Sequence, residues 1–303
     1  SCQCTCRPDQ SQLSMLRNIL RLGAALPWLP GALLARSLRP GLRILMYHRV
    51  RATSEFDQLS VHPDRFEQQM AQLRRSGHVL SLDQALDGVR QGSITEPAFA
   101  VTFDDGYLDN LRVALPILKA HGIPATIFVT VAFCDQSVRH ARYQSEDGRL
   151  HLDWDEVREL AAQPGILIGS HTLTHPHLPR LSTIDAQREI AESRLRIEAQ
   201  ITRPVVHFCY PSGDLSGRDV QLVRGAGYRS AVTVAPGVNR HGTDPYLLHR
   251  TEVTDRDVSW ALALKLLGSY DGLHSLLHRR RLRQFARAAE PISANVAPDG
   301  RLG

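Results

Sequence analysis

Short apolar runs alternate along this chain with stretches whose apolar residues recur at helical spacing. Leu42 to Tyr47 reads as a first strand, and Pro63 then opens a helix with Phe66, Met70 and Leu73 on one face. Val79-Leu80 reads as a second strand, followed by a helix through Leu82, Ala85, Leu86 and Val89. Phe99 to Phe103 is the third, and Leu108, Leu111, Leu115 and Leu118 predict a helix that Gly122 stops. Ala125 to Val131 is the fourth strand. A polar loop over 135–150 leads to a short helix marked by Trp154, Val157 and Leu160, and Ile166 to Gly169 is the fifth. Ile190, Ile197 and Ile201 line a long helix on which Glu192 and Arg196 are spaced to pair. Val205–Tyr210, Arg229–Val234 and Leu247–Val253 read as strands six to eight, with a helix over 219–225 between the sixth and seventh.

This alternation predicts an α/β fold with parallel strands inside and helices outside. Seven or eight such units in about 250 residues fit a (β/α) barrel better than an open sheet. A barrel gathers its chemistry at the carboxyl ends of the strands. Tyr47-His48, Asp104-Asp105, His171 and Tyr210-Pro211-Ser212 each directly follow an apolar run.

The chain has 303 residues, 43% apolar and 22% charged, which is globular rather than disordered. Its net charge is +5, with arginines concentrated at both ends: Arg17, Arg21, Arg36, Arg39 and Arg43, then Arg279-Arg280-Arg281, Arg283 and Arg287. Solvated helices or a peripheral membrane contact both account for basic ends. The apolar stretch Leu22–Ala35 is broken by Pro27 and Pro30 and is too short to span a bilayer. It suits an interfacial segment, with a signal-like segment as the alternative. Residues 1–40 are therefore expected to be a tail, 41–270 the catalytic domain, and 271–303 a basic helix and tail. Nucleic acid is not an expected partner, because basic and aromatic residues do not interleave. Five cysteines, three of them within the first six residues, are not a disulfide framework. Cys134 and Cys209, unpaired on this reading, favour a membrane-associated cytoplasmic face over secretion.

Two adjacent carboxylates at the end of a buried strand, Asp104 and Asp105, repel one another unless a cation joins them. His171 and His175 can supply the rest of a cation site. Four residues apart, their imidazoles fall on one side of a helical turn or of a loop curled like one. Two histidines and one carboxylate make a three-ligand site with an open position. With Asp105 as the third ligand, Asp104 is left ionised beside it as a general base. Fourteen histidines make one such pair weak evidence by itself; the two motifs together, each at a strand end, are stronger.

Thr102-Phe103-Asp104-Asp105-Gly106 and His171-Thr172-Leu173-Thr174-His175-Pro176 resemble the first two motifs of the polysaccharide deacetylase family, the NodB-homology carbohydrate esterases. Phe208 to Asp214, Ile44 to Val50 and His151 to Leu160 resemble further segments of one branch, so the similarity runs from about residue 41 to 270. The resemblance implies a distorted barrel of seven or eight strands and removal of an N-acetyl group from an amino sugar of a polysaccharide, oligosaccharide or glycolipid, often in the cell envelope. It implies Asp104 as catalytic base, with Asp105, His171 and His175 holding a divalent metal: zinc foremost, cobalt or nickel in its place. The backbone N–H near Ser212 is the expected oxyanion donor, and Tyr210 an expected sugar contact; Tyr47 and Trp154 are further aromatic candidates. Many members carry an arginine two residues before the motif proline that orients the base; here Cys209 stands there. The family's late Leu-x-His motif, source of the general acid, has no clear match; His249 is the nearest candidate, with His48 and His241 as alternatives. Other readings are hydrolysis of a different C–N bond, in a cyclic imide or small amide, and a sugar-holding barrel without turnover.

Overall fold

The computed structural model describes residues 40–272, together with Gly23 and Pro27. The expected tails and their cysteines and arginine runs lie outside this range almost entirely. No helix among the described residues is long and apolar enough to cross a membrane.

Seven parallel strands form one continuous path. Its members are β1 (Leu42–Tyr47), β5 (Ala98–Phe103), β6 (Ala125–Val129), β7 (Ile166–Ser170), β8 (His207–Cys209), β9 (Ser230–Val232) and β10 (Arg250–Glu252), in the order β10-β1-β5-β6-β7-β8-β9. A short strand, β4 (His78–Val79), pairs with the start of β5, and β2 (Arg49–Val50) pairs with β3 (Ser60–Val61) apart from the main sheet. A parallel bridge between Val232 and Leu248 draws β9 towards the segment entering β10 and nearly closes the barrel. The predicted α/β barrel is thus the observed architecture.

Helices fill the crossovers: α1 (Pro63–Ser76), α2 (Leu82–Gln91), α3 (Leu115–Ala120), α4 (Val131–Cys134), α5 (Trp154–Ala161), α6 (Thr183–Ile201), α7 (Gly217–Gly225) and α8 (Ser259–Leu267). Three of them, α2, α5 and α7, start with reciprocal capping boxes: Ser81 with Gln84, Asp153 with Glu156, Ser216 with Asp219. Two local expectations are corrected. The predicted helix through Leu108 begins as a wider turn over Asn110–Ala114, in which the Leu115 N–H reaches back five residues to Asn110 O. Pro116 has no N–H to give the Arg112 carbonyl, which favours the wider winding there. Glu192 pairs with Arg188 rather than Arg196, whose guanidinium reaches Asp135 at 2.9 Å.

Side chains alternate across each strand, so two cores form. Leu45, Tyr47, Phe99, Val101, Phe103, Ile166, Ile168, Phe208 and Tyr210 pack outward under the helices. Leu42, Ile44, Ala98, Ala100, Phe128, Cys209, Val232 and Leu248 pack with Leu82, Ala85, Leu86 and Val89 of α2 in a second cluster, so α2 plugs the interior at the amino ends of the strands. Continuing the inward series by twos along each strand reaches His48, Asp104, His171 and Arg250 at the other end. Gly169 belongs to the inward series of β7. A Cβ there would stand 2.4 Å and 2.5 Å from two ring carbons of Phe128, the bulkiest member of the inner cluster.

Gly169→Ala is therefore expected to lower stability by about 1–3 kcal/mol in urea denaturation, the usual cost of overpacking. A change within about 0.5 kcal/mol would show that the Phe128 ring has room to yield.

Candidate active site

Four strand ends deliver the acidic and imidazole groups to one cleft of about 610 Å³. The backbone ladder carries them there: Asp104 N–H donates to Tyr47 O at 3.0 Å, and His171 N–H to Val129 O at 2.9 Å. Six non-glycine residues among those described have positive φ, and four of them are Asp105 (70°), Thr172 (71°), His175 (62°) and Ser212 (56°). Left-handed backbone is unfavourable for such residues and persists where surrounding contacts enforce it. Its concentration here marks the cleft independently of any motif.

Asp105 Oδ1 lies 3.5 Å from His171 Nε2 and 3.4 Å from His175 Nε2. His171 Nδ1 is 2.8 Å from the Cys209 carbonyl. A carbonyl only accepts, so Nδ1 carries the proton and the Nε2 lone pair faces Asp105. Burial, with the neighbouring His175, pushes the His171 pKa down to about 4 and keeps the ring neutral. Burial acts to raise the Asp105 pKa, while positive charge on the surrounding imidazoles, His175 first, acts to lower it, and the net direction is down. Yet Asp105 Oδ1 is buried with no hydrogen-bond partner among the described residues. Such an oxygen is costly unless a cation meets it. Tetrahedral ligands at 2.0–2.2 Å from a zinc ion stand about 3.3–3.6 Å apart, so these separations and this donor set fit a divalent ion. The H-x-x-x-H segment is a loop rather than a helical turn. Glu189 of α6 holds it, accepting from the N–H groups of Leu173 and Thr174 at 2.9 Å each and from the Thr174 hydroxyl at 2.7 Å.

Asp104 has a different partner, one that sequence reasoning missed. Arg250, fully buried on β10, donates to both Asp104 oxygens at 2.7 Å and to Cys209 Sγ at 3.2 Å. Burial acts to raise the Asp104 pKa, and the guanidinium more than reverses it. Asp104, His171 and Cys209 also sit close enough to hold an ion, but the Arg250 cation already serves Asp104 and Cys209. The motif position held by Cys209 therefore lacks an arginine while Asp104 has one, reached from another strand. An arginine two residues past Leu248, on the same side of the strand, was the available signal.

The remaining predicted residues scatter. His249 lies between two inward residues of its segment and points outward, its ring against Gly237, and it does not line the cleft. His241 contacts the Arg90 carbonyl in the last turn of α2, away from the cleft. His48 does line the cleft, with Nε2 3.9 Å from Asp104 Oδ2. Tyr210 belongs to the outward series. It lines the cleft, but its ring is buried, packs on Phe208 and donates its hydroxyl to Tyr246 O, so the ring face is turned away from the cleft. Tyr47 is likewise core, bonded to Gln69, and Trp154 donates to Asp135. Ser212 lines the cleft in its left-handed turn. His177 stands apart from the triad, 3.4 Å from Asp214. His140, in the polar loop and unforeseen, brings Nε2 to 3.9 Å from Asp105 Oδ2.

A sequence model described as polysaccharide deacetylase matches residues 91–231. YxkH of Bacillus subtilis (strain 168), a protein assigned to the polysaccharide deacetylases, is 31% identical over 215 residues, covering 70% of this chain and 71% of that protein. The poly-beta-1,6-N-acetyl-D-glucosamine N-deacetylase of Escherichia coli (strain K12) is 26% identical over 212 residues, 59% of this chain and 32% of that protein. Among solved structures, IcaB from Ammonifex degensii superposes with a TM-score of 0.64 at 25% identity, covering 75% of this chain and 97% of that one. The Streptococcus pyogenes deacetylase PplD in complex with acetate gives a TM-score of 0.66 at 23% identity, covering 75% and 98%, and supports the fold alone.

Arg250→Met leaves the Asp104 carboxylate buried and unpaired, at an expected cost of about 3–5 kcal/mol at neutral pH. In the native protein the Asp104 pKa is depressed, so its pairing stabilises above the unfolded value of about 3.9 and is lost as pH falls through the native one. Removing Arg250 raises the native pKa, so the deficit is expected to be largest at pH 7 and to shrink towards pH 4. Thermal unfolding across that range measures it; an equal deficit throughout would assign Arg250 a packing role only.

Proposed function

The chain belongs to the polysaccharide deacetylase family, hydrolases of non-peptide carbon–nitrogen bonds, and from that premise we propose that it deacetylates N-acetylglucosamine units of a polysaccharide with the help of a divalent cation. One observation carries this: two imidazole Nε2 atoms converge within 3.5 Å of a buried, unpartnered carboxylate oxygen, beside a second carboxylate held ionised by an arginine. The E. coli relative, whose name specifies poly-beta-1,6-N-acetyl-D-glucosamine, supports a glycan of that kind.

Asp105, His171 and His175 would hold the ion, and zinc suits two nitrogens and a carboxylate. When bound, such an ion lowers the pKa of water and polarises an amide carbonyl, which an acetamide needs. Asp104 takes the proton from the attacking water. Arg250 keeps it ionised and fixes both its oxygens, so the carboxylate is oriented before substrate arrives. The Ser212 N–H, in its left-handed turn on the cleft wall, donates to the oxyanion as the carbonyl carbon becomes tetrahedral. His48 takes the place expected of His249 as proton donor to the leaving amine, because it alone of the three candidates lies in the cleft beside Asp104.

With zinc or cobalt restored, the protein is expected to release acetate from N-acetylglucosamine oligomers. Asp104→Asn should lower kcat by about 10²–10⁴-fold while leaving the ion bound, and His48→Ala should lower it by a comparable factor. His175→Ala should lose the ion by elemental analysis. An undiminished rate in Asp104→Asn would overturn the base, and a full complement of ion in His175→Ala would overturn the ligand set.

A further inference from the structure

Asp105 ends its strand in a conformation that needs enforcement. Its φ is 70° and that of Gly106 is 61°, so two consecutive residues are left-handed. Gly106 is confined too: a Cβ there would stand 2.9 Å from a Val129 methyl. From this turn the Asp105 side chain reaches both histidines.

The segment around His151 lies against that turn. Leu152 N–H donates to Gly106 O at 2.9 Å and Leu108 N–H to Leu150 O at 2.8 Å, bracketing His151 against Tyr107 in an antiparallel bridge. The His151 ring is 2% exposed. It is clamped between Phe133, at 4.2 Å and 20° between planes, and Tyr107, at 4.6 Å and 26°. Its Nδ1 sits 3.1 Å from the Asp105 carbonyl oxygen. That oxygen only accepts, so Nδ1 carries the proton, and Nε2 is left buried without a partner among the described residues. A buried polar atom left unpaired is not what packing alone would select. The imidazole is therefore present for its other nitrogen.

We propose that His151 is a positioning residue: its Nδ1–H pins the Asp105 carbonyl, holding the left-handed turn from which the carboxylate meets His171 and His175. This rests on the ion-binding reading of those three residues. With the hydrogen bond removed, the Asp105 carbonyl loses this restraint although the Leu152 N–H still holds Gly106 O, and the carboxylate is aimed less firmly. Groups that orient metal ligands from behind commonly set about 10–100-fold in affinity.

The test titrates Co²⁺ into chelator-stripped protein, reading Kd by competition and the ligand field by visible absorption. His151→Phe keeps a ring between Phe133 and Tyr107 and removes the donor. It is expected to raise Kd by about tenfold or more and to weaken or shift the cobalt bands, with the melting temperature of the stripped protein maintained. His151→Asn restores a donor near Nδ1 without the stacking; it is expected to melt lower yet bind Co²⁺ more tightly than His151→Phe. A His151→Phe Kd within about twofold of wild type overturns the proposal, as does a His151→Asn Kd no better than that of His151→Phe. Should His151→Phe fail to fold, the asparagine variant decides alone: a Kd raised about tenfold overturns the proposal, and one within about threefold supports it. If wild type itself takes up no Co²⁺, or His175→Ala binds it as tightly, the ion-binding reading has failed instead.

Discussion

Two adjacent carboxylates at the end of a buried strand are the constraint to which the rest of this structure answers. Leaving either one ionised and unpaired in the interior costs several kcal/mol, and they repel one another as well. The fold resolves the two charges differently. Asp104 meets a permanent cation in its own chain, Arg250, through two bonds of 2.7 Å. Asp105 meets two neutral-capable imidazoles and keeps a bare oxygen between them. One carboxylate is thereby committed to the protein and the other left for a ligand.

That division ties the site to the pairing of β10 and β5 on either side of β1. Arg250 reaches Asp104 only because β10 lies beside β1 and β1 beside β5, in register from Ile44 opposite both Arg250 and Ala100. The strand pairing that buries the inner core thus also delivers the guanidinium. At the opposite end, Asp83, His207 and Ser230 form a chain of contacts at 3.2 Å and 2.8 Å that looks like a nucleophilic triad. Ser230 and His207 are buried beneath the α2 plug, so the contacts fasten that helix to the barrel wall and no substrate can reach the hydroxyl. Similar residue types do different work at the two ends because only one end is open.

Much of the fold was legible from local pattern. Apolar runs such as Phe99–Phe103 and helical spacings such as Phe66, Met70 and Leu73 report burial on one face, and burial follows from the sequence within a turn or two. The pairing of an Asp-Asp-Gly strand end with an H-x-x-x-H loop was legible for a similar reason, since each motif is short and the barrel puts all strand ends on one rim. The aromatic expectations turn on facing. Tyr210 follows Cys209 by one residue, so its ring packs in the outer core while Cys209 joins the inner cluster, and Tyr210 reaches the cleft without presenting its ring.

The same one-residue rule separates what the amino-acid sequence determined from what tertiary structure decided. Sequence alone determined the alternating elements, the strand-end acids and the histidine pair, because these rest on contacts between near neighbours along the chain. It could not choose between His249 and Arg250, nor pair Arg250 with an aspartate 146 residues away, nor bring His151 beneath Asp105. Those depend on inter-strand register and on how loops pack. Register is set by the summed burial of both cores and changes sign with every residue along a strand, so only the assembled barrel could decide it.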